Sequence, residues 1–179
     1  MPNQARPCDL SKLLEAAASA GKDDIVADLL AQGADPVFDE GRSLAMAAWN
    51  GRASCVELLL SKMDRDSASC RALFFASFAG HLECAKLLLP RSPSLAEDSA
   101  PLMAAIVHGH AAIVAFMLEA ADPSTLRALN LRALEAQARS LNHHCVAEAL
   151  LGFIGAPAHG SKESRSLASA ASARSHSKP

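Results

Sequence analysis

The stretch Leu13–Pro36, LLEAAASAGKDDIVADLLAQGADP, holds two short apolar-periodic segments separated by Gly21 and closed by Gly33-Ala34-Asp35-Pro36. Spacings of three and four on each side of Gly21 set the apolar residues on one stripe of each segment, the signature of two amphipathic helices. Helices this short are marginal alone, and nothing inside the unit covers their shared apolar face. The unit therefore needs a copy of itself alongside.

Copies follow. With Gly21 as anchor, Gly51, Gly80 and Gly109 fall in the same place and Asn142 takes it in the last copy. Leu14, Leu44, Leu73 and Leu102 stand seven residues upstream, and Ala17, Ala47, Ala76, Ala105 and Ala138 stand four upstream. Downstream align Ile25, Cys55, Cys84, Ile113 and Val146, then Leu29, Leu59, Leu88, Met117 and Leu150. The anchor marks a turn with φ > 0, which Gly adopts without penalty and Asn tolerates. A small Ala column implies close approach of neighbouring first helices, and the Leu column fills the core between copies.

The pattern resembles the ankyrin repeat, a two-helix unit with a period of about 33 residues. The family core LxxAAxxGHxxIVxxLLxxGADP is nearly complete in the first copy; Ala47-Ala48 with Gly51, Gly80-His81 and Gly109-His110 carry it onward. The resemblance implies an all-α ankyrin-type helical repeat solenoid. Two departures qualify it. In the family's Thr-Pro-Leu-His start only Pro101 matches the proline and the Thr and His are gone, so its hydrogen-bonded tie is expected to give way to apolar packing. The anchor intervals are 30, 29, 29 and 33 residues, so the hairpin fingers are expected to be clipped.

The expected organisation is an N-terminal extension at 1–9, repeats at 10–41, 42–70, 71–99, 100–132 and 133–155, and a disordered Ser/Ala/basic tail at 156–179. The tail carries about +3 and the rest about −5; its few large apolar groups cannot offset the entropy of ordering. Asp9 or Ser11 is placed to cap the first helix, and Asp23-Asp24 suit the second. Thr125–Arg139 is helix-friendly throughout, so the last first-helix is expected to start early.

A net charge of −2 excludes a strongly basic nucleic-acid binder. No apolar run suits a signal peptide or membrane span. Of the five Cys, Cys55 and Cys84 read as small core residues in a reducing, cytoplasmic setting, with Cys70 in a connection. His143-His144-Cys145 lacks a second ligand pair at zinc-type spacing. His81 and His110 read as structural, and no nucleophile triad or phosphate loop stands out. Neither an enzyme, a metal nor a cofactor is expected.

In the resembled family, the two positions before the anchor face a concave groove and vary with the partner. Here they are Ser19-Ala20, Trp49-Asn50, Phe78-Ala79, Val107-His108 and Ser140-Leu141. Trp49, Asn50, Phe78, Val107 and His108 are thus the expected contact residues for a partner protein, since Trp and its like dominate interfaces. The competing reading lays these rings against neighbouring helices, with Met46 and Phe75 joining either cluster. The expected function is a monomeric, non-catalytic protein-binding module. The alternatives are a bacterial effector delivered into a host and an obligate structural or inhibitory subunit.

Overall fold

The computed structural model describes residues 7–63, 67–92 and 97–154. Among these described residues eleven helices run in order: α1 Pro7–Ala20, α2 Asp23–Ala31, α3 Phe38–Trp49, α4 Ala53–Leu60, α5 Ser67–Ala79, α6 Leu82–Leu88, α7 Ala100–Val107, α8 Ala111–Ala120, α9 Pro123–Ala128, α10 Leu131–Ser140 and α11 His144–Ile154. A 3-10 turn, Leu89–Arg91, follows α6. Among the described residues there is no strand, in keeping with shortened connections. The tail expected at 156–179 lies outside the described residues.

The helices form two layers. First helices α1, α3, α5, α7 and α10 pack side by side, second helices α2, α4, α6, α8 and α11 do the same, and each first helix packs on its own second helix. The core is the set of columns read from the sequence. Leu14, Leu44, Leu73 and Leu102 are buried, as are the five Ala residues four before each anchor. Cys55, Cys84, Ile113 and Val146 are buried where they meet the preceding copy, but Ile25 is 50% exposed because no described copy precedes it. Leu13, also facing outward from the first copy, is 54% exposed.

The anchor builds the same turn five times. Gly21, Gly51, Gly80 and Gly109 have φ of 75°, 69°, 86° and 78°, and Asn142 has 62°. The next residue's N–H returns to the Ala-column carbonyl: Lys22 to Ala17 at 3.0 Å, Arg52 to Ala47 at 2.9 Å, His81 to Ala76 at 2.9 Å, His110 to Ala105 at 2.8 Å and His143 to Ala138 at 2.9 Å. This bond satisfies a carbonyl that the helix end would orphan.

Several local expectations are corrected. α1 starts at Pro7, so Ser11 lies inside it and accepts from the Asp35 N–H at 3.1 Å. The Ser43 hydroxyl donates to Pro36 O at 3.2 Å. Hydroxyls therefore tie the first connection, which apolar packing alone was expected to do. Thr125–Arg139 is not one helix: Leu129-Asn130 separates α9 from α10, and the Asn130 side chain accepts from Ala133 N–H at 3.2 Å as a cap. Cys70 lies in α5 rather than in a connection, and is half-buried.

The start of α3 was not foreseen. Asp39, Glu40 and Gly41 all have positive φ, of 53°, 56° and 69°, making one left-handed turn. Each non-Gly residue there costs about 1–2 kcal/mol. Arg42 pairs with Asp39 at 3.3 Å and with Glu15 at 2.8 Å, and Arg71 reaches Glu40 at 3.1 Å. Two of these pairs join successive first helices, α1 to α3 and α3 to α5.

Candidate functional site

The candidate site grows from the turns. Because each first helix ends at an anchor, the two residues before it are held at the same edge of every copy. Trp49 stacks on Phe78, with ring centroids 5.1 Å apart and planes 22° apart, and meets Phe75 edge-on at 5.3 Å. The imidazole of His108 continues the column at 3.8 Å from the Phe78 ring. Trp49, Phe78 and His108 thus form one run of rings across α3, α5 and the end of α7.

The run packs on itself and still meets solvent. Trp49 is 38% exposed and Val107 39%, His108 is exposed, and Phe78 and Asn50 are half-buried. The ring faces lie against one another, as the packing reading has it, while the outer edges stay open to solvent. Asn50 Nδ2–H donates to Ser19 Oγ at 3.1 Å and to Met46 O at 2.8 Å, tying the column to the first copy.

One member was left out of the expected contact set. Leu141, immediately before Asn142, is 40% exposed and extends the apolar edge into the fifth copy. Its position in the repeat register was the available signal. Phe75, expected to join one cluster or the other, belongs to the aromatic cluster through Trp49.

The residue after each anchor holds the column in place. A Cβ on Gly51 would stand 2.6 Å from the His81 ring, one on Gly80 2.5 Å from His110, and one on Gly109 2.7 Å from His143. Each imidazole thus lies flat over the glycine of the copy before it. His110 Nε2 lies 3.0 Å from Phe78 O and His143 Nε2 lies 2.8 Å from Val107 O. A carbonyl only accepts, so Nε2 carries the proton in both. The bonds fix the backbone of the very residues whose side chains make the edge. His143 is therefore a structural staple, and among the described residues no group of three or more His, Cys, Asp or Glu could hold a metal ion.

Burial pushes the Cys84 thiol up to about 11, and burial with a hydrogen bond to Asp23 pushes Cys55 up to about 12. Cys55 Sγ–H donates to Asp23 Oδ1 at 2.8 Å. Thiols held neutral in this way are inert fillers, not nucleophiles.

Stacked two-helix copies, left-handed anchors and imidazoles over glycines recur down the chain. A family model described as ankyrin repeats, in three copies, matches residues 13–98 and again 44–127. The chain belongs to the ankyrin-repeat family. No curated protein matches it. Ankyrin repeats are generally protein–protein interaction modules and typically non-catalytic. In this ankyrin array no described helix is long and apolar enough to cross a membrane.

Proposed function

We propose that this ankyrin-repeat chain is a non-catalytic adaptor that binds a partner protein along the edge formed by Trp49, Asn50, Phe78, Val107 and His108, continued by Leu141. The reading takes the array as residues 10–155, acting as a monomer in a reducing compartment such as the cytoplasm, with no cofactor. One observation carries it: Trp49 and Val107, each two residues before its anchor, and Leu141, one residue before Asn142, lie in three different copies and are each close to two-fifths exposed. Exposed large apolar groups are ordinary when scattered; gathered at the first-helix ends of one edge they favour a contact surface. Prepacking by ring stacking also favours binding, since little side-chain freedom remains to be lost.

The test compares wild type with Trp49→Ala in affinity capture from cells that express the chain. Truncating Trp49 is expected to cost at least about 2 kcal/mol of partner affinity, the hot-spot scale. Its cost in stability should stay below the roughly 3–5 kcal/mol of a fully buried Trp. Capture of the same partners at the same strength by both proteins would overturn the reading, as would a variant that loses its fold.

A further inference from the structure

The longest anchor interval, 33 residues from Gly109 to Asn142, is the one that contains α9. This extra helix leaves a groove of about 500 Å³, open to solvent, between the α9–α10 connection and the end of α11. Its floor is apolar: Leu126, Leu129 and Leu131 from the connection, Phe153 and Ile154 from α11. All five are only half-buried. Two arginines, Arg127 and Arg132, also line the groove. Both are exposed, and neither joins an ion pair with another described residue.

We infer that this groove is a second docking site, separate from the ring-bearing edge, for a peptide segment of a partner protein that carries Asp or Glu next to bulky apolar side chains. Charge decides the occupant. Apolar side chains cover the half-buried floor, while carboxylates meet Arg127 and Arg132, each of whose planar forks can donate two parallel hydrogen bonds to one carboxylate. The chain's own continuation past Ile154 is a poor occupant: Lys162, Arg165, Arg174 and Lys178 outnumber Glu163, so its charge opposes the two arginines. A groove open to solvent suits a peptide laid across it better than a small molecule, which binds in pockets that enclose most of its surface.

The test selects binders to the full chain from a random peptide library and measures their affinities by fluorescence anisotropy. Peptides with Asp or Glu beside Leu, Ile or Phe should be enriched. An Arg127→Glu/Arg132→Glu double variant, with unchanged circular dichroism, should weaken them by about tenfold or more, since both partners of each charge contact now repel. The same peptides rewritten with Lys for each acid should regain affinity for that variant. A Trp49→Ala variant should bind the acidic peptides like wild type, so failure at the edge and failure at the groove are told apart. No enrichment, enrichment without acidic bias, equal binding to the charge-reversed variant, or loss on Trp49→Ala each overturns the inference.

Discussion

Gly80 lies at the contact between two copies and shows how tightly one residue type is specified there. Its φ is 86°, and a Cβ would stand 2.5 Å from the His110 ring, itself bonded to Phe78 O at 3.0 Å. Gly33 has φ of 90° with open space around the Cβ position. Alanine at either costs about 1–2 kcal/mol for the left-handed backbone. Only Gly80→Ala also displaces the imidazole, losing a hydrogen bond worth about 1 kcal/mol. Urea titration should find Gly80→Ala at least about 1 kcal/mol less stable than Gly33→Ala; equal losses would separate the ring from the glycine. The anchor column was legible because positive φ admits few residue types. The bond from His110 was not, since its partner is a backbone carbonyl and leaves no mark on the sequence.

Within elements, legibility tracked periodicity. Leu and Ala columns fixed ten of the eleven helices' surroundings in register, because burial in a stack allows only small or apolar groups at those steps. The break between α9 and α10 escaped because Thr125–Arg139 is composed of helix formers and only Asn130 marks the stop. Asn130→Ala should cost about 0.5–2 kcal/mol through the lost cap, read as a lower melting temperature. The left-handed turn at Asp39–Gly41 escaped too, since Glu40 is a residue that propensity keeps out of that region and three such residues in a row are not signalled by one Gly.

The buried thiols of α4 and α6 make a prediction at the same scale. Burial raises Cys55 from 9.0 to about 12 and Cys84 from 9.0 to about 11. A raised folded value means that the unfolded chain releases these protons first. Their contribution is therefore complete below about pH 9 and is lost as pH rises through the folded values. Wild type should destabilise more steeply than Cys55→Ala/Cys84→Ala between pH 9 and 11, however much the double variant loses at neutral pH. Parallel slopes would sink the assignment. In native protein a thiol reagent should label the exposed Cys145 at once and reach Cys55 and Cys84 only on unfolding.

At the scale of the whole molecule, a stack has ends, and the same column position means different things along it. Ile25 and Ile113 stand four residues after their anchors, yet Ile25 is 50% exposed and Ile113 1%. No sequence pattern distinguishes them, because exposure follows from the presence of a neighbour rather than from the residue. The exposed edge has the same origin: its positions were legible from the register, but how far Trp49 leans onto Phe78 depends on side chains from separate copies. Copies that contact only their neighbours contribute to stability as a near-linear array. Ile113→Ala should then cost roughly 2–5 kcal/mol, the range for emptying a buried aliphatic site. Ile25→Ala should stay near the ~0.5 kcal/mol scale of surface changes. Hydrogen exchange should follow the same order, with the slowest amides in α5 to α8 and the fastest in α2 and α11, where one side of the helix pair has no described neighbour. Similar costs for the two isoleucines, with uniform protection along the chain, would mean that the first copy's open face is covered in solution.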